Sequence, residues 1–402
     1  MKVLQINEVP YGSIGKIALG IKNVSKKKGI DVDIACGYSS HPIDQLKECQ
    51  LKVGGFFSKG FHLFMKSLFG VEGIYSFFST IKLLKYIKRQ KIDLLHFHNV
   101  HGYYLCLPLL FRFIKRNDIP IVWTFHDCWP FTGKCYHYQI CRCNKWKTLC
   151  FKCPKKHEKY DGFLDSSKIM YKLKKKWFLG IRRITIVAPS GWLEKEIRQS
   201  FLNCYPTQVI HNGINLNLFK YEHSNFKIEN NCVDKYVILG VAMGWTYNKG
   251  LDIFCELAEL LDEKYQIVLV GTNDKVDKCL PKKIISIHRT QNISELAKIY
   301  SAADIFINPT REDTYPTVNL ESIACGTPVI SFNTGGSSES ISNDCGMVIE
   351  ECHPKELVTI IDNMIKNISS YRSSCINQRK EFDEKSCFSK YAEVYKSMLG
   401  DY

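Results

Sequence analysis

Between Asn308 and Ile330 the chain reads NPTREDTYPTVNLESIACGTPVI. Three carboxylates, Glu312, Asp313 and Glu321, flank a helix start marked by Pro316, beside the apolar run SIACGTPVI. Proline suits a first helical turn, where its missing N–H loses no hydrogen bond. The N-terminus of that helix offers free N–H groups and a partial positive charge, which together favour phosphate. Ionised carboxylates accept hydrogen bonds from hydroxyls. Asp313 stands just ahead of the helix and Glu321 further along it, so the two can grip different parts of one molecule. A molecule with hydroxyls on both sides of a pyrophosphate fits, and a nucleotide sugar is such a molecule.

Other residues could also do chemistry. WTFHD places His126 at the end of an apolar run, and HFHNVHGYY offers His96, His98 and His101. Alternation puts His96 and His98 on one strand face, with His101 in the loop beyond. A zinc trio, a polar lining of a cleft, and packed core histidines are all open readings of these three. CYHYQICRCNKWKTLCFKCP brings Cys135, Cys141, Cys143, Cys150 and Cys153 into twenty residues. Its C-x-x-C with two earlier thiols fits a small structural zinc loop at Cys135, Cys143, Cys150 and Cys153. Buried thiols without metal are the plainer reading. DVD at 31–33 opens a buried strand and is read as structural rather than metal-binding.

The elements that must carry these residues are those of two α/β halves. MKVLQINEV reads as a strand, YGSIG as a glycine-bearing turn, KIALGIKNVSKKKG as a helix and DVDIACGY as the next strand. That opening is the unit of a parallel, doubly wound sheet. DLLHFHN, PIVWTFHD and ITIVAPS continue it. The second half repeats the scheme in YVILGVA, QIVLVGT, IISIHRT, DIFINPT and TPVISF. The expected division is a first Rossmann-like domain over 1–200 with a Cys-rich insertion at 128–153, a second over 201–385, and a terminal helix over 386–402 returning to the first. Ligands of such sheets sit beyond the strand C-termini, in a cleft between halves.

Composition narrows the class. The 402 residues are 45% hydrophobic and 24% charged, an ordinary globular balance. No apolar run is long enough to span a bilayer, and MKVLQINEVP is too polar for a signal peptide, so a cytoplasmic chain is expected. In a reducing compartment its 18 Cys should be free thiols rather than a disulfide framework. Residues 1–200 hold 35 Lys+Arg against 14 Asp+Glu, and the remainder 20 against 26. A basic first half suits nucleic acid, an anionic membrane or a phosphorylated substrate. The basic runs KKHEKY, KLKKKW and IKLLKYIKRQK, with FFSKGFHLFMKSLFG, read best as an interfacial surface at the inner membrane leaflet.

REDTYPTVNLESIACGTPVI resembles the donor-binding signature of the family-4 GT-B glycosyltransferases, two acidic residues with seven between. ISELAKIYSAADIFINPT, NTGGSSE, HNGIN, YGSIGK, WTFHDCWPFTGKC and WTYNKG resemble family segments in the expected order over nearly the whole chain. The last two are similar to a polysaccharide-building branch. The resemblance implies two Rossmann-like domains facing a cleft, and transfer of a sugar with retention of configuration, without a metal. It implies that Glu321 binds the ribose and Asp313 the sugar hydroxyls, with His126 beside the anomeric carbon. Lys249 would neutralise the pyrophosphate, with Gly12 and Gly15 letting backbone approach it. Glu312, Thr314 and Tyr315 fall in the same donor-binding segment. The first acidic position is Asp313 rather than the usual Glu, so Glu312 could substitute for it. The usual arginine five residues before the lysine is replaced by Gly244, and Arg311 is the candidate to complete the clamp. His98 and His101 would face the acceptor.

The expected activity is transfer from a nucleotide sugar to a lipid-linked glycan in surface polysaccharide or O-antigen synthesis, with no nucleic acid involved. Two alternatives are a nucleotide-sugar 2-epimerase of the same architecture and a zinc-loop nucleic-acid-binding protein. Neither accounts for both the basic, aromatic first half and the acidic second.

Overall fold

The computed structural model describes residues 1–38, 48–155 and 165–400. The chain forms two compact units, one of residues 1–211 with 387–402, the other of residues 212–386.

Among the described residues the first unit has seven strands: β1 (Lys2–Asn7), β2 (Asp31–Gly37), β3 (Leu51–Val53), β4 (Leu94–Phe97), β5 (Ile121–Thr124), β6 (Ile184–Ala188) and β7 (Thr207–Val209). Their order is β3-β2-β1-β4-β5-β6-β7, and every pairing is parallel. The central strands are buried on both faces, as LLHF and IVWT show. Helices must therefore cover both faces, the usual state of an all-parallel sheet. On one face Phe97, Phe111, Trp123 and Phe178 pack together. On the other the terminal helix Glu384–Leu399 is pinned to the sheet. Its Tyr395 hydroxyl stands 2.6 Å from His96 Nδ1, and Tyr391 accepts from Thr124 at 3.2 Å.

The second unit has six parallel strands, β8 (Tyr236–Val241), β9 (Tyr265–Val270), β10 (Ile285–Ile287), β11 (Ile305–Asn308), β12 (Val329–Phe332) and β13 (Gly346–Ile349). Their order is β10-β9-β8-β11-β12-β13. Both sheets wind outward in two directions from an inner pair, β1 and β4 in one, β8 and β11 in the other. At such a switch the loops leaving the two strands part and open a crevice at their C-terminal ends. Lys249 follows β8 and Asp313 follows β11. Gly12 follows β1 and His98 follows β4.

Two expectations change. The thiols are not all free: Cys36 and Cys49 form a disulfide, with Cα atoms 6.2 Å apart. β3 lies parallel to β2 with Cys36 opposite Lys52, so the chain entering β3 passes the end of β2. A count of cysteines carries no sign of that return. The basic run KLKKKW is also not wholly surface. Lys174 is fully buried in the helix Ser167–Phe178 and donates to the carbonyls of Trp129 and Thr132 at 2.8 and 3.3 Å. Residues 156–160 of KKHEKY lie outside the described residues.

Candidate active site

In the second unit the loops after β8 and β11 are fastened to one another. Trp245 anchors the first by donating its indole N–H to the Val270 carbonyl at 3.0 Å. The Arg311 backbone N–H then donates to the Asn248 carbonyl at 2.9 Å. Across this join Lys249 Nζ meets Asp313 Oδ2 at 2.9 Å and lies 3.4 Å from Thr310 Oγ1. Both partners of the ion pair keep part of their surface in solvent. Glu312 is buried instead, accepting from Asn248 Nδ2 at 3.3 Å. The neighbouring carboxylates thus have different surroundings, and Asp313 is the one beside Lys249.

The helix after this loop runs Thr317–Ala324, with Pro316 as its cap. Asn319, fully buried, fixes its angle by accepting from Asn308 at 2.8 Å and donating to the Ser337 carbonyl at 3.1 Å. Glu321, one turn on, accepts from the Tyr300 hydroxyl at 3.2 Å. Thr314 and Tyr315 are buried against the helix start. Lys249, Asp313 and Glu321 therefore come from two loops and a helix that a single packed corner holds in place.

Arg311 has a local role. Its guanidinium takes both oxygens of Asp252 at 2.8 Å, Glu351 at 2.7 Å and the Tyr247 carbonyl at 2.5 Å, and stacks 3.9 Å from the Tyr247 ring. A planar fork so engaged locks the β8 loop to the β11 loop. The clamp expected of it is supported by none of these contacts.

In the first unit β4 and β5 bring the histidines together, each with its own partner. Gln5 Oε1 lies 2.9 Å from His98 Nε2, and His98 Nδ1 lies 2.9 Å from His126 Nε2. With Gln5 accepting, His98 keeps its lone pair on Nδ1, and His126 donates Nε2–H to it. Burial holds His126 down at about 4 and His98 well below its usual value, so both rings are neutral. His96 is a core residue, bridging Tyr395 and Thr124, with its pKa pushed down by burial to about 3. His101 is different. Burial opposes its charge, but Asp127 at 2.9 Å and Glu8 at 4.0 Å outweigh that and raise its pKa. The three histidines thus share no common centre. Gly12 opens the helix Gly12–Lys27 at φ 71°, and Gly15 is pressed against Pro10, where an added Cβ would lie 2.4 Å from the Pro10 carbonyl carbon.

Sequence reasoning passed over Tyr300, Asn319, Gln5 and Asp127. Asp127 was the most legible, standing next to His126. The other three act through strand or helix neighbours distant in the chain. Among the described residues, Asp274, Asp277 and His288 are the acidic or histidine group whose ligand atoms lie within 4.8 Å. They sit at the surface as a hydrogen-bonded ion pair with a second acid near it.

Residues 22–218 match the model of Glycosyltransferase Family 4, and residues 235–367 that of Glycosyl transferases group 1. The chain belongs to the family-4 glycosyltransferases of GT-B fold. Escherichia coli K12 WcaC, named for colanic acid biosynthesis, is 22% identical over 66% of this chain and 66% of its own. The Campylobacter jejuni N,N'-diacetylbacillosaminyl-diphospho-undecaprenol alpha-1,3-N-acetylgalactosaminyltransferase is 24% identical over 46% of this chain and 53% of its own. The chain thus spans about two thirds of the first relative's length and about half of the second's. Among solved structures, the sucrose-phosphate synthase of Thermosynechococcus elongatus superposes with a TM-score of 0.71 at 16% identity, covering 99% of both chains. Anabaena Alr3699/HepE, solved with UDP-glucose, gives 0.68 at 13% identity over 99% of this chain and 100% of its own. At these identities the structural likeness carries the fold alone.

Proposed function

We propose that this glycosyltransferase moves a sugar from a nucleotide-sugar donor, with retention of configuration, onto a lipid-linked glycan acceptor in cell-surface polysaccharide synthesis. The observation that carries this reading is the Lys249–Asp313 pair, set beside the helix that bears Glu321 at the switch point of the second sheet. Departure of a nucleoside diphosphate builds negative charge on phosphate oxygens and positive charge on the sugar ring. A fixed cation near the diphosphate and a fixed carboxylate near the sugar stabilise that separation better than water does, because they need no reorganisation. Lys249 and Asp313 are assigned those roles, and Glu321, oriented by Tyr300, holds the ribose hydroxyls. Gly12 and Gly15 are assigned to the diphosphate, and His126 to the transferred sugar as a neutral hydrogen-bonding group. His98 orients it, and His101 serves the acceptor. The transfer step needs no metal, since Lys249 and backbone N–H groups supply the positive charge.

The acceptor class is supported by the Campylobacter relative, named for an undecaprenol-linked substrate, and by the surface of the first unit. No helix among the described residues is long and apolar enough to cross a membrane. The helix Phe56–Phe69 nevertheless exposes Phe56, Phe57, Phe61 and Phe64, and the helix Phe77–Arg89 exposes Phe77 and Phe78. Lys82, Lys85 and Lys88 are exposed along the latter. Aromatic rings beside lysines suit the interface of an anionic bilayer. We place the protein at the inner face of the plasma membrane on that basis. The test is a nucleotide-sugar panel with bacterial membranes as acceptor source, read by product mass. One donor should add one sugar to a lipid-extractable product. Epimerised donor with no glycan product would replace this reading by the epimerase.

A further inference from the structure

We propose that Cys135, Cys143, Cys150 and Cys153 bind one zinc ion as a tetrathiolate site that staples the segment from Thr132 to Pro154, which follows β5. All four cysteines line one cavity of about 20 Å³, and among the described residues no histidine or carboxylate lines it with them. The fifth cysteine of the segment, Cys141, is not among the lining residues; its thiol donates to the Tyr138 carbonyl at 3.2 Å. The fold itself thus separates four candidate ligands from a fifth that composition does not distinguish. Four soft sulfur donors at C-x7-C-x6-C-x2-C spacing make the ligand set of a closed structural zinc site.

Three further observations agree with that set. Cys150 accepts a hydrogen bond from the Gly133 backbone N–H at 3.2 Å, a contact that favours a sulfur carrying negative charge. Lys134 and Lys145 line the cavity, placing cations around a centre that four thiolates and one Zn²⁺ would leave at charge −2. From Thr132 to Pro154 the only regular element is one turn of 3-10 helix, Lys145–Lys147. A segment so long without ladder hydrogen bonds needs another source of order. The sulfurs line the cavity but are not drawn within 4.8 Å of one another as a group. Zinc–sulfur bonds of about 2.3 Å put tetrahedral sulfurs about 3.8 Å apart, so binding contracts the loop.

The metal would touch no reacting group and would act on transfer through position. Cys135 precedes Tyr136, whose carbonyl accepts from the Cys128 backbone N–H at 2.8 Å and whose ring packs 4.8 Å from that of His101. Loss of the metal would therefore loosen the wall beside His101.

The test is elemental analysis of the full-length protein purified from zinc-supplemented medium without chelator. About one zinc per chain is expected, and cobalt exchange should give thiolate-to-cobalt charge transfer with tetrahedral ligand-field bands. Cys150→Ser combined with Cys153→Ser should lose the metal, whereas Cys204→Ser and Cys279→Ser, at exposed cysteines elsewhere, should keep it. Wild-type protein without zinc, with iron in its place, or with a Cys135–Cys153 disulfide by mass spectrometry would overturn the proposal. Because the decisive reading is on the unaltered chain, a variant that fails to fold does not weaken it.

Discussion

Lys249 and Asp313 neutralise one another across 2.9 Å, although they stand on loops that leave different strands of the second sheet. A lysine held this way is positioned before any ligand arrives. In the reading proposed above, an incoming diphosphate would exchange one anionic partner of Lys249 for another and leave Asp313 to the sugar. Lys249→Ala should lower transfer about 10²–10³-fold, the usual loss when a preorganised charge is removed. It should leave the melting temperature nearly unchanged, since exposed ion pairs contribute about 0–1 kcal/mol. Steady-state kinetics beside a thermal melt checks both halves.

Tyr300 is buried and its hydroxyl touches Glu321. Tyr300→Phe removes one hydrogen bond to a carboxylate while keeping the ring. The expected cost is about 1–2 kcal/mol in donor affinity, read as a rise in donor KM with little change in kcat. A fall in kcat at unchanged KM would instead place Glu321 at the reacting carbon.

Arg311→Lys separates a structural guanidinium from a phosphate ligand. Lysine cannot reproduce the fork on Asp252 or reach Glu351 at the same time. The variant should lose roughly 1–3 kcal/mol of stability, seen by denaturant unfolding, with the donor dissociation constant changed less than about threefold. Intact stability with greatly weakened donor binding would return Arg311 to the clamp.

The buried neutral histidines predict an acid-sensitive fold. An unfolded chain protonates histidine near 6.5, whereas His126 and His96 hold out to about 4 and about 3 because burial opposes their charge. Below pH 6.5 the unfolded state therefore binds more protons, and stability falls as pH drops from 6.5 towards 3 to 4. Their contribution is complete above pH 6.5. His101, shifted the other way, loses its contribution only as pH rises. His96→Gln should flatten melting temperature against pH between 6.5 and 4, and an unchanged slope would assign the acid loss to other groups.

Vesicle binding examines the aromatic surface. Phe57→Ser with Phe78→Ser removes two rings, 87% and 84% exposed, so the fold should be unaffected. Co-sedimentation with anionic vesicles should fall at least severalfold, while transfer to a water-soluble acceptor persists. Equal binding by both proteins would remove these helices from the interface.

Ten of the thirteen strands among the described residues were readable from apolar runs, and the three missed share a reason. β3, β7 and β13 are all edge strands, as the sheet orders show. Their residues are LKV, TQV and GMVI, with at least one side chain of each in solvent. An edge strand is paired on one side only and needs no continuous apolar run. The acidic signature was legible because loop, proline and helix are contiguous. What the sequence could not supply was pairing across the fold, such as Arg311 with Asp252, Asn308 with Asn319, or Cys36 with Cys49. Lys174 misled for the same reason, since four lysines in one run look alike until the helix shows which faces the core.

Binding of radiolabelled nucleotide sugar, by equilibrium dialysis against wild type and Glu321→Ala, bears most directly on donor recognition by the second unit. Wild type should bind one donor saturably, and the variant should bind it at least tenfold more weakly with an unchanged melting curve. Equal affinity in the two proteins would contradict the assignment of Glu321 and, with it, the placement of the donor at this corner.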